Sequence, residues 1–300
     1  MLYEVRHTTT YSYERSAAFS QHLLRLTPRQ TDEQRVHTSR IEFEPRIEAI
    51  APERDMFGNL AHVATVARAH AALTITATSR VERQAPSPFI FEAGAPWEQV
   101  RDQALGRMPA LGGALPVPTA SPFAFPSVMT QADDAIRAYA AESLAPGRPL
   151  LAAALELTGR IHRDFEYLPG ATGADTMPVD SFGARRGVCQ DFAHVMLAAL
   201  RAFRLPARYV SGYLRTNPPE GKPRLEGADA SHAWVAVWDP VFSWVDFDPT
   251  NDLVPGLDHI TLAWGRDFED VSPVSGLVVG GGAQTLSVGV DVLPLGAEAA

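Results

Sequence analysis

The sequence is poor in cysteine and in lysine, which occur once each, as Cys189 and Lys222. A single cysteine excludes an internal disulfide and a cysteine-rich zinc site. Positive charge is also scarce, because 26 Lys and Arg residues face 35 Asp and Glu residues, which leaves a net charge of -9. The chain therefore lacks the basic footprint of a nucleic-acid-binding protein, and we expect no nucleic-acid partner.

Long hydrophobic runs are absent as well. No stretch approaches the roughly 18 apolar residues that span a bilayer, and the N-terminus lacks the apolar core of a signal peptide. We therefore expect no membrane segment and a cytoplasmic protein, which suits an unpaired thiol. With 46% hydrophobic and 20% charged residues over 300 positions, the chain is long enough for one large or two smaller globular domains.

Hydrophobic periodicity and proline content divide the chain into four segments. Residues 1–84 alternate apolar and polar positions between turn signals, which predicts a β-rich, sandwich-like domain. Residues 85–129 are rich in proline and predict an irregular connector with one short helix. Residues 130–268 show helical and then strand patterns. Residues 269–300 predict a β-hairpin tail around three consecutive glycines.

The third segment predicts an α+β core in which helices pack on an antiparallel sheet. Helices are predicted over 131–144, 150–167 and 188–203, and strands over 207–213, 233–238 and 244–247. Between the first two strands lies the polar loop 216–230, which contains three prolines. A long loop of this kind is either a lid over a site or plain surface.

The lone cysteine lies in the first turn of a predicted helix. Apolar residues recur at spacings of three and four from Val188 through Phe192 to Phe203, so Cys189 is among the first helical residues. Free backbone N–H groups and the helix dipole favour a thiolate there, and the Cys189 N–H could donate to an oxyanion. The alternative is a small, buried and unreactive cysteine, which is common for lone cysteines. His194 lies about 140° further around the helix and cannot be the base, so we expect it to pack.

A base and a carboxylate are available downstream. His232 opens a predicted strand and Asp248 follows the next one, so a hairpin between these strands would bring the two side chains together. Asp246 lies on the same strand face and could serve equally, although Asp248 is nearer the strand end, where sites usually lie. A chain with nine histidines offers such a set by chance, so the pattern alone leaves catalysis open.

Several segments together resemble the transglutaminase-like superfamily. They are Gly-Val-Cys-Gln-Asp-Phe-Ala-His at 187–194, Leu-Pro-Ala-Arg-Tyr-Val-Ser-Gly-Tyr at 205–213, His-Ala-Trp at 232–234 and Asp-Pro-Thr-Asn at 248–251. Residues 1–81 resemble the N-terminal β-region of bacterial transglutaminase-like proteins, with His-Thr-Thr-Thr-Tyr-Ser-Tyr at 7–13 and Asp-Met-Phe-Gly-Asn at 55–59. The segment 265–276 also resembles this group. The likeness covers nearly the whole chain except the connector.

This resemblance implies a papain-like core with a Cys-His-Asp triad at Cys189, His232 and Asp248. Cys189 would attack a carboxamide of a peptide or protein substrate, and the thioacyl group would pass to water or to an amine. Animal relatives complete the oxyanion hole with an upstream Trp. No Trp lies between positions 98 and 233 here, so Tyr167 is the candidate donor beside the Cys189 N–H, although packing at a helix end would explain it equally well. We expect no metal and no cofactor.

Three further residues in or beside these segments are candidates for the substrate cleft, namely Gln190, Asp191 and Trp234. Trp234 shares a strand face with Trp238, so core packing explains it as well. A peptide or isopeptide hydrolase is the leading hypothesis, and an amine acyltransferase would use the same triad. A protein-binding scaffold with a degenerate papain-like site is the non-enzymatic alternative. The sequence carries no signal for the oligomeric state.

Overall fold

The computed structural model of the protein describes residues 1–47, 51–108, 120–216 and 230–296. Within these ranges the chain forms a seven-stranded sheet, a four-stranded sheet, a two-stranded ladder and six α-helices. The strands are β1 (Leu2–Leu24), β2 (Gln34–Glu44), β3 (Ala51–Arg54), β4 (Leu60–Val66), β5 (His70–Arg83), β6 (Glu166–Tyr167), β7 (Arg186–Gly187), β8 (Ala207–Leu214), β9 (Ala230–Asp239), β10 (Ser243–Phe247), β11 (His259–Gly265), β12 (Val274–Gly280) and β13 (Gln284–Leu295). The helices are α1 (Trp97–Ala104), α2 (Asp134–Ser143), α3 (Leu150–Asp164), α4 (Pro178–Ala184), α5 (Cys189–Arg201) and α6 (Phe268–Val271).

The long strand β1 is the axis of the N-terminal sheet and has two strands in line along each edge. On one edge, β4 pairs with its residues 20–24 and β5 with its residues 2–17. On the other edge, β12 pairs with residues 17–24 and β13 with residues 2–13. Bulges interrupt the register between these partners, so the sheet curls. The N-terminal region is β-rich, as expected from the sequence, with β2 and β3 outermost.

The C-terminal tail differs from the predicted hairpin. Gly280, Gly281 and Gly282 have φ values of 85°, 86° and 71°, but they join two strands that both lie along β1. In the described part of the chain β12 and β13 do not pair with each other, and the tail completes the N-terminal sheet. The hairpin prediction is wrong because the glycines form a kink opposite the irregular part of β1. Alternation along a strand does not identify its partner.

The core sheet has the order β10-β9-β8-β11 and is antiparallel throughout. Helix α5 packs on one face, because its apolar residues at spacings of three and four meet the alternating apolar residues of β8 and β9. Helices α2, α3 and α4 complete this hydrophobic cluster. The arrangement confirms the predicted α+β core, and α1 is the short helix expected in the connector. Of the loop proposed as a lid, residues 217–229 lie outside the described residues.

The N-terminal sheet packs directly on the core sheet. Tyr3, Val5 and Val292 from the N-terminal sheet form one buried cluster with Tyr213 and Ile260 from β8 and β11. Apolar burial of this kind is the main favourable term in joining two sheets. The connector therefore links two parts of the molecule that are already in contact.

The outer edge of β11 is covered by two side-chain amides of the N-terminal domain. Gln34 donates from Nε2 to the Thr261 carbonyl at 2.7 Å and accepts from the Thr261 N–H at 2.8 Å. Asn59 does the same with Trp264, at 2.9 Å and 3.0 Å. An exposed strand edge would carry unpaired backbone groups, and these amides pair with them in place of a further strand.

Candidate active site

The turn that precedes α5 is built around Asp191. Its carboxylate accepts a hydrogen bond from the Val188 N–H at 2.8 Å and another from the Thr172 hydroxyl at 2.6 Å. A Cβ at Gly187 would lie 2.6 Å from Asp191 Oδ2, so glycine is needed for this close approach. Val188 is extended and Cys189 is the first residue of α5, which places the thiol at the helix N-terminus.

His232 and Asp248 lie beside this thiol. His232, near the start of β9, has its Nε2 2.7 Å from Oδ2 of Asp248, which directly follows β10. The same imidazole lies close enough to Cys189 for the cysteine to raise the pKa of His232. Because Asp248 occupies Nε2, Nδ1 is the ring nitrogen left for the thiol. His232 and Asp248 are buried and Cys189 is partly accessible, so the thiol is the one of the three groups that solvent reaches most easily.

The electrostatics of the site favour a charged His232. Burial lowers the pKa of His232, but hydrogen bonds with Asp248 and Cys189 outweigh burial and raise the pKa to about 10. Burial raises the pKa of Asp248, yet hydrogen bonds from His232 and His259 hold it well below its usual range. An imidazolium beside a sulfur stabilises the thiolate, which is the nucleophilic form of cysteine.

Asp248 receives hydrogen bonds from several groups besides His232. Its Oδ2 accepts from His232, from His259 Nε2 at 3.1 Å and from Asn251 Nδ2 at 2.7 Å. Its Oδ1 accepts from the backbone N–H groups of Thr250 at 2.9 Å and of Asn251 at 3.2 Å. The carboxylate is fully buried, and these five bonds fix its orientation toward His232.

Trp234 and Asp246 lie next to the triad in the core sheet. Trp234 is fully buried, and its indole N–H donates to Asp246 Oδ2 at 3.0 Å. Of the two carboxylates considered in the sequence, Asp248 is therefore the one that meets His232. Trp234 and Asp191 are both buried, with 0% and 1% exposure, so neither lines an open substrate cleft. Gln190 is partly exposed and donates to the Ala174 carbonyl at 2.8 Å.

Tyr167 lies close to the cysteine. It ends β6, which pairs in parallel with β7, the short strand just before Cys189. Its side chain is 51% exposed, and its ring centroid lies 6.4 Å from that of Phe192. Burial and the neighbouring Cys189 raise the pKa of Tyr167, so the phenol keeps its proton at neutral pH. A protonated hydroxyl at this position is available as a hydrogen-bond donor.

His194 packs on the far side of α5, as the helical angle predicts. Its Nε2 accepts a hydrogen bond from the Phe268 N–H at 3.2 Å, and its ring centroid lies 5.1 Å from that of Tyr209. Burial lowers the pKa of His194 to about 4. This histidine is therefore neutral at physiological pH and belongs to the core.

Two family models match consecutive parts of the chain. Residues 3–82 match the bacterial transglutaminase-like N-terminal region, and residues 137–249 match the transglutaminase-like superfamily. A Mycobacterium tuberculosis protein is 38% identical over 305 residues, which cover 99% of this chain and 94% of that protein. The chain belongs to the bacterial transglutaminase-like proteins. The second match contains the cysteine, histidine and aspartate described above.

Other comparisons relate this transglutaminase-like protein to a wider group. A Mycobacterium leprae protein is 33% identical over 293 residues, which cover 97% of this chain and 98% of that protein. A protein-glutamine gamma-glutamyltransferase of Pseudomonas aeruginosa is 37% identical over 125 residues, which cover 39% of this chain and 18% of that enzyme. A solved structure from Cytophaga hutchinsonii, provisionally described as a cysteine protease, covers 100% of this chain with a TM-score of 0.75 and 23% identity. That likeness shows a shared fold.

His259 is the residue of the transglutaminase-like site that sequence reasoning missed. It opens β11, a strand that was not predicted. Ile260, Leu262 and Trp264 alternate with smaller residues, which is the strand signal that could have identified β11. The pairing of β11 with β8 then brings His259 to Asp248.

His232, Asp248 and His259 also have the composition of a metal site. Their ligand atoms all lie within 4.8 Å of one another, and two imidazoles with one carboxylate suit several divalent metals. In the structure, Asp248 Oδ2 accepts hydrogen bonds from both Nε2 atoms. A metal ligand histidine must be neutral, whereas the raised pKa of His232 favours its charged form. The expectation of a metal-free site stays a prediction.

Proposed function

We propose that this transglutaminase-like protein is a cysteine-dependent amide hydrolase that forms a thioacyl-enzyme on a peptide or isopeptide carboxamide. The observation that carries the proposal is the placement of Cys189 at the start of α5 beside His232, whose Nε2 lies 2.7 Å from Oδ2 of Asp248. A helix N-terminus, an imidazole and an orienting carboxylate are the parts that activate a cysteine nucleophile. A peptide or protein is the proposed partner.

The first half-reaction forms the thioester. The sulfur of Cys189 attacks the carboxamide carbon, a C–S bond forms, and the carbonyl oxygen takes the negative charge. The Cys189 N–H and the Tyr167 hydroxyl are the proposed donors to that oxygen. The C–N bond then breaks, and His232 gives its proton to the leaving nitrogen while Asp248 holds the imidazole.

The second half-reaction releases the acid. Neutral His232 takes a proton from water, and the resulting hydroxide attacks the thioester carbon. The C–S bond breaks, and the proton held by His232 balances the charge of the departing thiolate. The enzyme returns to its starting state, and the net reaction is the hydrolysis of one amide bond.

Amine transfer is the second candidate for the same thioester. The likeness to the protein-glutamine gamma-glutamyltransferase over 125 residues supports it. A primary amine would then replace water as the attacking group and form a new amide. Water is always present as a competitor, so transfer requires a site that holds the amine against the thioester.

One assay separates the candidates. The protein is incubated with glutamine-containing peptides, with and without a labelled primary amine, and released ammonia and incorporated label are measured. Hydrolysis of a glutamine side-chain amide gives ammonia without incorporation, hydrolysis of a peptide or isopeptide bond gives a new amino group without ammonia, and transfer from glutamine gives both ammonia and incorporated label. Mass spectrometry of Cys189 after a short incubation is expected to show the acyl adduct, and Cys189→Ser is the matched control that should abolish both products.

The binding-scaffold alternative makes the opposite forecast. A folded protein that forms no Cys189 adduct with glutamine peptides or with an activated acyl ester, and releases no product, would contradict the proposed enzyme. Peptide binding that is unchanged in Cys189→Ser would then favour the scaffold.

A further inference from the structure

A cavity lies on the face of the core sheet opposite to the face that packs against α5. It has a volume of about 1200 Å³, is open to solvent, and is lined mainly by residues of the core sheet, the N-terminal region and the start of the connector. Its aromatic lining includes Phe57, Phe89, Trp244 and Trp264. Volumes above a few hundred Å³ with apolar walls and a few polar groups are typical of ligand sites.

Arg208 is the unusual residue of this cavity. It lines the cavity and is 8% exposed, and its guanidinium carbon lies 3.6 Å from the Trp264 ring centroid and 4.3 Å from that of Trp244. Its Nε has no hydrogen-bond partner, and among the described residues its guanidinium joins no hydrogen bond or ion pair. Burial lowers the pKa of Arg208 to about 9, so the group is still charged at neutral pH. A buried charge without an acceptor is costly unless a partner is supplied.

The core sheet forms the floor of the cavity, and Asp246 lies two strands away from Arg208 on this sheet. Arg208 pairs with Ala236 on one side, and Asp246 pairs with Ala236 on the other, so the three residues form one row across three strands. The two charged residues are thus about 10 Å apart at the backbone, over a small alanine. Arg83 and Glu33, which also line the cavity, lie 3.5 Å from each other as an ion pair. Arg208 and Asp246 form no such pair in the described structure.

The cavity is separate from the triad. Trp234 is fully buried, donates to Asp246, and has its ring centroid 5.3 Å from that of His259 and 6.1 Å from that of His232. It therefore fills the space between the cavity floor and the catalytic histidine. Ligand binding in this cavity is therefore independent of the proposed amide chemistry.

We propose that the cavity binds a small zwitterionic ligand of the amino-acid or dipeptide class, with its carboxylate on Arg208 and its ammonium group near Asp246. The guanidinium faces lie against two indole rings, which leaves the planar edge of N–H donors for a planar carboxylate. Arg208 and Asp246 are both in register with Ala236 and so lie on the same face of the sheet, where a small zwitterion over Ala236 can contact both.

The test uses the full chain carrying Cys189→Ala, so that no acyl chemistry interferes. Binding of glycylglycine, N-acetyl-glycylglycine and inorganic phosphate is measured by calorimetry and by the fluorescence of the two tryptophans that flank Arg208. We expect saturable glycylglycine binding with a Kd of about 1 mM or tighter. Acetylation removes the ammonium group and should weaken binding by about tenfold, and phosphate should bind more weakly than either peptide.

Variants locate the ligand. Arg208→Gln should weaken glycylglycine binding by at least about tenfold, and Asp246→Asn should remove the preference for the free amine. Arg208→Lys keeps the charge without the planar edge and should weaken binding by a smaller factor, which provides a second reading if Arg208→Gln does not fold. Arg137→Gln is the matched control, because Arg137 also stacks on an aromatic ring, at 4.5 Å from Phe203, but lies outside the cavity.

Three results would overturn the proposal. They are an absence of saturable peptide binding in a folded protein, peptide binding that is equal in Arg208→Gln and Arg137→Gln, and phosphate binding as tight as glycylglycine binding. None of these results bears on Cys189 chemistry, so failure here is distinguishable from failure of the proposed function.

Discussion

Asp248 and Arg208 are both buried charged residues, but they differ in the hydrogen-bond partners that surround them. Asp248 is fully buried and accepts five hydrogen bonds from its own chain. Arg208 is nearly as buried, yet it meets two aromatic faces and no acceptor among the described residues. A charge that is satisfied internally holds a fixed geometry, as catalysis requires. A charge without an internal partner is suited to a partner from outside.

The largest effect should come from removing the satisfied charge. Asp248→Asn keeps the shape but removes the negative charge and replaces one of two acceptor oxygens with a donor, so kcat is expected to fall by about 10² to 10⁴-fold. Asp246→Asn makes the same change two residues away, where the carboxylate binds the Trp234 indole, and should lower kcat less than about tenfold. Steady-state kinetics on a peptide found active in the assay above measures both. Equal losses in the two variants would break the distinction between the carboxylates.

A smaller effect should follow from removing the second imidazole on Asp248. His259→Gln is expected to lower kcat by about tenfold, because one charge-assisted hydrogen bond to the carboxylate is lost. That bond helps to hold the pKa of Asp248 down, so its loss should move the acidic limb of the kcat profile to higher pH. His194→Gln is the matched control, a buried histidine away from Asp248, and should lower stability without moving the limb. If the acidic limb of the kcat profile lies at the same pH in His259→Gln as in the wild type, His259 is only a packing residue.

Stability should depend on pH through His232. Its folded pKa of about 10 lies above the ordinary value of 6.5, so the ion pair stabilises the fold fully below about pH 6.5 and loses this contribution as pH rises toward 10. The stability deficit of His232→Gln should therefore be largest near pH 6, at about 2 to 4 kcal/mol, and shrink by pH 9.5. Denaturant unfolding at several pH values measures it. A deficit that grows with pH would contradict a charged His232.

The smallest expected effect concerns metals. Because Asp248 Oδ2 accepts hydrogen bonds from His232 and His259, EDTA is expected to leave turnover unchanged. Added Zn²⁺ should inhibit, since metal binding requires the neutral form of His232. Turnover with and without chelator, after dialysis, is the measurement. Activity that EDTA removes and a divalent ion restores would show that the three side chains act as ligands.

Much of the core could be predicted because its signals are local. The 3.6-residue periodicity after Val188 predicted α5 and the place of Cys189 in its first turn, and α5 is observed over Cys189–Arg201. The hairpin that joins β9 to β10 followed from two strand patterns and a short turn. These elements bring His232 and Asp248 together without information from distant parts of the chain.

The remaining features depend on contacts between residues far apart in sequence. His259 reaches Asp248 only because β11 pairs with β8, and the tail pairs with β1, more than 250 residues earlier. Apolar alternation reports which face of a strand is buried and is silent about its neighbour. The sequence also could not show that the Arg208 guanidinium lacks a hydrogen-bond partner among the described residues, because this depends on which side chains the fold brings near it.

Two side-chain amides of the N-terminal region pair with β11. They make the part of the chain with Cys189, His232 and Asp248 difficult to transfer into another protein on its own. Gln34 and Asn59 bond the backbone of Thr261 and Trp264 on the strand that His259 opens. A fragment cut at the connector would expose this edge and invite self-association through it. Any fusion or domain exchange that reuses the part of the chain with Cys189, His232 and Asp248 must therefore include the N-terminal sheet, or supply another cover for β11.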